Sequence, residues 1–212
     1  MQSALTPPST LFEKTARWFD RAKAALLGNL PCCQGCSHCC VGVFPVTLLD
    51  RQEIQRGLRT LSLEQRLAIQ QNAIRQIRIL SDSAPRLTEN MFIDHWPDRD
   101  IDHIVDQFGT LPCPALQVDG SCSLYAFRPL ACRSMGIPSE TDGVTRGACA
   151  IQTAIPLIRL SRTLREEENI LAGIEATQLA SLRREHHAEG EELLLPFAFP
   201  SDNISDPARS VT

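Results

Sequence analysis

The hydrophobic and polar positions along the chain repeat mostly at helical spacing. Apolar residues that recur three or four positions apart predict four helices. These helices span about 11–28, 48–59, 63–80 and 162–188. Thr10, Thr47 and Ser62 stand where the first three begin and can cap them. The regular alternation of strands and helices that builds a parallel sheet is absent from the pattern.

Between these helices the pattern is interrupted by prolines and glycines. Residues 81–112 are predicted to be irregular, with one helical turn near 100–108. Asp119-Gly120, between two short apolar runs, predicts a β-hairpin. The segment "AFRPLACRSMG" predicts a short helix with Pro129 in its first turn. Gly143 and Gly147 predict a further loop.

The expected fold class is mainly α: an irregular helical domain organised by cysteines and metal, with one short β-hairpin. A flexible N-terminus is expected over 1–9, a cysteine-cluster domain over 10–160 and a helical extension over 161–195. A tail follows over 196–212, and its apolar start predicts a segment that docks on the domain. The Gln and Arg residues of the helix over 63–80 predict a solvated face.

Composition and charge narrow the class of protein. Hydrophobic residues make up 43% of the chain, enough for a core, and the formal net charge of -4 disfavours a nucleic-acid binder. No apolar run is long enough to span a membrane. The start of the chain lacks the basic and apolar order of a signal peptide, so we expect a cytoplasmic protein whose thiols stay reduced.

Nine cysteines therefore need an explanation other than disulfides, which an odd number also fits poorly. Two groups of four are evident once Cys32 is set aside. They are Cys33, Cys36, Cys39 and Cys40, and then Cys113, Cys122, Cys132 and Cys149. Four thiolates complete a zinc shell or hold an iron–sulfur cluster. The adjacent pair Cys39-Cys40 favours a polynuclear centre or two neighbouring centres, although any single cysteine of the second group could instead be a buried apolar residue.

Other residues could support such a centre. Arg128 and Arg133 flank Cys132 and can donate guanidinium hydrogen bonds to thiolates, or else form ordinary surface ion pairs. His38 lies inside the first group and could be a ligand, a hydrogen-bond donor behind the ligands or an exposed side chain. The sequence does not place Cys32.

The runs "CQGCSHCC" and "CPALQVDGSCSLYAFRPLACR", followed by Cys149, resemble the YkgJ-type cysteine-cluster proteins, a family described as zinc- or iron-chelating. The resemblance covers about residues 33–149. It implies that the eight cysteines of the two groups are the ligands of zinc or of an iron–sulfur cluster. Cys32 is additional to the family pattern.

The resulting hypothesis is a metal-chelating protein with a role in metal handling, in sensing or in structure. The alternative is an enzyme that modifies a protein substrate, since a longer branch of this family includes flagellin lysine N-methylases. Radical S-adenosylmethionine chemistry is formally matched by the spacing of Cys32, Cys36 and Cys39, but the strand–helix units of that barrel are not predicted. A dithiol redox protein would use Cys33 and Cys36. Whether the chain is an enzyme stays open at this point.

Overall fold

The chain is described by a computed structural model over residues 10–26, 35–141, 144–146 and 159–201. Helices dominate these residues, as expected for a mainly α protein. The α-helices are α1 (Leu11–Ala25), α2 (Leu48–Leu58), α3 (Leu63–Ser83), α4 (Arg86–Glu89), α5 (Asp98–Gln107), α6 (Leu130–Ser134) and α7 (Arg162–His186). The strands are β1 (Pro45–Thr47), β2 (Ser139–Thr141), β3 (Val144–Arg146) and β4 (Glu192–Leu194). Short 3-10 turns occupy His38–Cys40, Tyr125–Phe127 and Leu195–Ala198.

The predicted helices are confirmed, with ends that differ by at most three residues. Each of the first three begins with a capping box, in which the cap side chain accepts from the third backbone N–H of the helix. The cap residues are Thr10, Thr47 and Ser62, as the sequence predicts. In the reciprocal bond, the backbone N–H of each cap residue donates to the side chain of the third helical residue. Local sequence alone therefore specifies where these helices begin.

The described chain divides into two compact units. The first contains residues 1–32 and 130–178, and its buried core consists of Trp18, Ala22, Leu26, Ile137 and Leu160. Helix α1 packs against α6 in this unit. The indole Nε1 of Trp18 donates to the Leu164 carbonyl at 2.9 Å, which satisfies the polar atom of a side chain that is 1% exposed.

The second unit contains residues 33–129 and 179–212. Its core is built on α2 and α3, which both pack against the 3-10 turn Leu195–Ala198. Buried apolar side chains from this unit include Ile54, Leu58, Ile69, Leu80, Ile93, Leu193 and Phe199. The apolar start of the predicted tail is therefore part of the core, in agreement with a docking segment.

A short antiparallel sheet joins distant parts of the second unit. Strand β1 pairs with β4, with Pro45 opposite Leu194 and Thr47 opposite Glu192. Three-residue strands carry too little alternation to be read from sequence, and this sheet was not predicted. It places the start of α2 beside the C-terminal segment.

The predicted turn at Asp119-Gly120 forms, but its strands do not extend. Gln117 N donates to the Ser121 carbonyl at 2.8 Å, and one bridge pairs Leu116 with Cys122. Ser123 N donates to the Ala115 carbonyl at 2.9 Å, and the chain then enters the 3-10 turn Tyr125–Phe127, which ends the pairing. An antiparallel pair is formed instead by β2 and β3, and β3 occupies part of the segment predicted as a loop; Gly143 and Gly147 themselves lie outside the described residues.

The prediction of a fully solvated polar face on α3 is wrong at two positions. Gln70 and Gln76 are 9% and 8% exposed, and both amides donate to backbone carbonyls. Burying an amide is costly unless it is hydrogen-bonded, and these two are. None of the helices in the described ranges is long and apolar enough to cross a membrane.

Candidate metal centre

The first cysteine segment is a tight turn in the second unit. Residues His38–Cys40 form a 3-10 turn, and Cys40 N donates to the Ser37 carbonyl at 2.9 Å. Gly42 ends the turn with φ +106°, a conformation that favours glycine. Cys36, Cys39 and Cys40 are all half-buried.

Backbone pairing joins this turn to the segment that contains Cys113. Cys113 N donates to the Cys40 carbonyl at 2.7 Å, and Gly42 N donates to the Leu111 carbonyl at 2.7 Å. Val41 and Pro112 lie opposite each other in this short antiparallel bridge. The chain therefore fixes Cys113 beside Cys40 although they are 73 positions apart in sequence (113 − 40 = 73).

Cys122 follows the Asp119-Gly120 turn. The Asp119 carboxylate accepts from Ser121 N at 2.9 Å and from the Ser121 hydroxyl at 2.7 Å, which holds the turn closed. Gly120 has φ +83°, and a Cβ there would lie 3.4 Å from the Gly35 carbonyl oxygen. The turn that carries Cys122 thus packs on the residue before Cys36.

The thiols of these segments influence one another electrostatically. A hydrogen bond with the Cys40 thiol, followed by burial, raises the pKa of Cys39 well above its ordinary value. Burial raises the pKa of the Cys113 thiol to about 12, with smaller contributions from the charges of Cys122 and Cys39. Burial also raises the pKa of Cys122, and Cys39 adds to it. Three separate segments therefore bring their sulfurs close enough to interact.

Cys39, Cys40, Cys113 and Cys122 together form what we call the cysteine cluster. Arg128 lies next to it. Its positive charge acts against burial by lowering the pKa values of both Cys39 and Cys122. The guanidinium stacks 3.7 Å above the Tyr125 ring centroid, and its Nε donates to the Tyr125 carbonyl at 3.0 Å. Arg128 is therefore held in place near the sulfurs, and its support of a metal centre stays a prediction.

Cys132 and Arg133 belong to the first unit, on α6. The Cys132 residue is half-buried and interacts with other groups. Arg133 is 8% exposed, and its guanidinium lies 5.4 Å from the centroid of the Phe12 ring. This buried position differs from the surface ion pair that the sequence left open.

The other cysteines and His38, which the sequence offers as candidate ligands, are placed differently. Cys32, Cys33 and Cys149 lie outside the described residues. His38 is exposed on the 3-10 turn. Within the part of the chain that the structure describes, no three His, Cys, Asp or Glu side chains are already arranged to hold one metal ion.

The chemistry of the donor set nonetheless fits a thiophilic metal. Four neighbouring thiols and a nearby guanidinium are the groups that bind zinc or iron–sulfur centres and balance their negative charge. Gln76, whose amide donates to the Pro112 carbonyl at 2.7 Å, supports the same segment and was missed because its burial is a tertiary property.

Comparison with known families gives a match that covers the cysteines. The family model CxxCxxCC, described as "Putative zinc- or iron-chelating domain", matches residues 32–150, more than half of the chain. The chain belongs to the CxxCxxCC family. No curated protein and no solved structure matches it. The CxxCxxCC match spans all the cysteines and bears out the resemblance read from their spacing.

Proposed function

We propose that this CxxCxxCC protein binds an iron–sulfur cluster or zinc through its cysteines. The observation that carries the proposal is the backbone pairing that fixes Cys113 beside Cys40, and the mutual influence of the Cys39, Cys113 and Cys122 thiols on their pKa values supports it. Cys40 adjoins the set through its hydrogen bond to Cys39, and Cys36 lies on the turn that packs against Gly120.

The raised pKa values describe thiols that hold their protons in the metal-free chain. A bound metal supplies the positive charge that makes thiolates stable, so binding releases these protons. The Arg128 charge assists because it favours the thiolate forms of Cys39 and Cys122. Metal binding is consequently linked to pH and to folding in this chain.

Between the two kinds of centre, the adjacent pair favours an iron–sulfur cluster. Neighbouring cysteines tend to diverge, yet Cys40 is joined to Cys113 through the backbone, and the charge of Cys39 acts on the Cys113 thiol. One zinc ion needs four thiolates, and a polynuclear cluster uses the sulfurs of a crowded loop more readily.

The family pattern adds further ligands to the proposal. Cys33, Cys132 and Cys149 match its cysteines and complete the eight, with Arg133 as a second supporting guanidinium. A cytoplasmic location, a protein client and a role in metal handling, sensing or structure belong to the same proposal. The division into a domain over 10–160 and a helical extension over 161–195 stays a prediction.

The deciding experiment is anaerobic purification followed by an optical spectrum and elemental analysis. An iron–sulfur protein is brown, contains iron and acid-labile sulfide, and loses visible absorption when the cluster is reduced by dithionite or destroyed by oxygen. Stoichiometric zinc in a colourless protein overturns the iron–sulfur version. A folded protein that neither contains metal nor takes it up overturns the proposal altogether.

Variants then test the ligand assignment. Cys122→Ser and Cys36→Ser are expected to lower the metal content and the stability of the purified protein. His38→Ala is the matched control, because His38 is exposed on the same turn as Cys39 and is not needed as a ligand. Full metal loading in either serine variant removes that cysteine from the ligand set.

A further inference from the structure

The buried side-chain amide of Gln76, on α3, reaches the backbone directly before Cys113. Gln76 is 8% exposed, and its Nε2 donates to the Pro112 carbonyl oxygen at 2.7 Å. Helix α3 carries no cysteine. This hydrogen bond connects the scaffold of the second unit to the segment that contains Cys113.

The accepting carbonyl belongs to the peptide group that leads into Cys113. The Pro112 carbonyl and the Cys113 N–H are the two ends of one planar unit. Gln76 binds the carbonyl end, and the Cys40 carbonyl accepts from the N–H end at 2.7 Å. A peptide plane held at both ends has a fixed orientation, and this orientation sets the direction in which the Cys113 side chain leaves the backbone.

We propose that Gln76 is a positioning residue for the Cys113 thiol. The proposal rests on the proposed function, in which Cys113 is a metal ligand. Without the Gln76 amide, the peptide plane keeps only its bond to Cys40, and the thiol samples orientations that do not meet the other sulfurs. Groups that hold a ligand in place from outside the ligand set contribute about 10- to 100-fold to metal affinity.

The chain offers a matched control on the same helix. Gln70 is 9% exposed, and its Nε2 donates to the Phe199 carbonyl at 3.4 Å, in the C-terminal segment rather than beside a cysteine. Gln76→Met and Gln70→Met both remove a buried amide and keep its length. They differ in whether the lost hydrogen bond supports the cysteine cluster.

The experiment titrates the full-length, reduced, metal-free protein with Co²⁺, whose thiolate charge-transfer absorption reports the bound cysteines. Gln76→Met is expected to raise the apparent Kd for Co²⁺ about tenfold and to weaken the charge-transfer band per bound ion. Gln70→Met is expected to keep the apparent Kd and the intensity of the charge-transfer band within about twofold of the wild-type values. Urea unfolding of each variant shows whether their losses of stability are comparable.

A second measurement needs no metal. Alkylation of Cys113 by iodoacetamide, followed by mass spectrometry, is expected to be several-fold faster in Gln76→Met than in Gln70→Met. If wild-type protein binds no Co²⁺ but this difference appears, the proposed function fails while the positioning of Cys113 stands. The positioning role is overturned if the wild-type protein binds Co²⁺ and the two variants have equal affinities, equal spectra and equal alkylation rates.

Should Gln76→Met fail to fold, Gln76→Lys is compared with Gln70→Lys. Lysine at position 76 keeps an N–H donor of similar reach. Each of the two lysine variants buries one charge, so the resulting loss of stability is matched between them. Gln76→Lys is then expected to bind Co²⁺ within about threefold of Gln70→Lys. A tenfold weaker Gln76→Lys would contradict the proposal, because a donor at this position should be sufficient.

Discussion

At the scale of single residues, the feature that matters most is the protonation of buried thiols. Burial raises the pKa of Cys113 to about 12, and the pKa values of Cys39 and Cys122 rise as well. An unfolded thiol has a pKa near 9.0. Each of these groups therefore holds a proton in the folded chain at pH values where the unfolded chain has lost it.

This difference makes the stability of the metal-free protein dependent on pH. A raised folded pKa gives stability that is complete below pH 9 and is lost as the pH rises toward 12. By pH 10 the raised pKa of Cys113 alone has lowered the free energy of unfolding by about 1 kcal/mol. Urea unfolding of reduced, metal-free protein between pH 7.5 and 10.5 measures it. The control is Cys113→Ser, which has no titrating group there and is expected to show a flatter dependence; a stability that rises with pH would contradict the expectation.

Arg128 gives a second prediction at this scale. Replacing it with Gln removes the positive charge that favours the thiolates of Cys39 and Cys122, so the apparent Kd for zinc should rise roughly tenfold. Competition with a coloured chelator measures the change. Arg128→Lys keeps the charge and is expected to lie between wild type and Arg128→Gln. If lysine binds as weakly as glutamine, the contribution comes from the stacking on Tyr125 and not from the charge.

At the scale of elements, helix α2 is fitted closely to the turn that precedes Arg128. A Cβ added at Gly57 would lie 2.6 Å from the Phe127 Cβ, and Phe127 belongs to the 3-10 turn Tyr125–Phe127. The Arg56 guanidinium lies 4.9 Å from the centroid of the same ring and is paired with Glu53 at 2.7 Å. The glycine therefore sets the distance between α2 and this turn.

This contact reverses the usual effect of a helical Gly→Ala change. Such a change normally stabilises an exposed helix by about 0.5–1 kcal/mol. A Cβ added at Gly173 on α7 would meet nothing within 4 Å beyond the neighbouring backbone of its own helix, so Gly173→Ala should stabilise the protein by that amount. Gly57→Ala should instead destabilise it by about 1–3 kcal/mol, because Phe127 must move. Thermal unfolding of both variants measures the difference, and a stabilising Gly57→Ala would show that the turn yields easily.

At the scale of the whole molecule, the C-terminal segment completes the core of the second unit. Gln55 Nε2 lies within 2.8–3.0 Å of the carbonyls of Ala198, Phe199 and Pro200, and Arg51 donates to the Phe197 carbonyl at 2.8 Å. Side chains of α2 thus satisfy backbone carbonyls of the segment after β4, which includes the 3-10 turn Leu195–Ala198.

Phe199→Ala tests this role. The ring is 2% exposed, and its loss is expected to cost about 3–5 kcal/mol of the free energy of unfolding. Ile170→Ala is the control, because Ile170 is 63% exposed and its removal should change stability by less than about 0.5 kcal/mol. Chemical denaturation compares them. Equal effects would mean that the segment around Phe199 contributes little to the second unit.

The sequence by itself determined the features that depend on neighbours within a few residues. The helix starts at Thr10, Thr47 and Ser62 follow from capping chemistry, and the turn at Asp119-Gly120 follows from its residue types. The cysteine spacing indicated the metal-chelating family, which the family match confirms. Ligand spacing is local chemistry, so it is visible without a fold.

Only the tertiary structure decided which distant residues meet. The pairing of Val41 with Pro112, the burial of Gln76 and the close fit of Gly57 to Phe127 depend on contacts between segments far apart in sequence. Periodicity reports which side of a helix is apolar, but it cannot report which polar side chain finds a buried carbonyl. A glutamine on a helix has the same sequence pattern whether it faces water or fixes the peptide before Cys113.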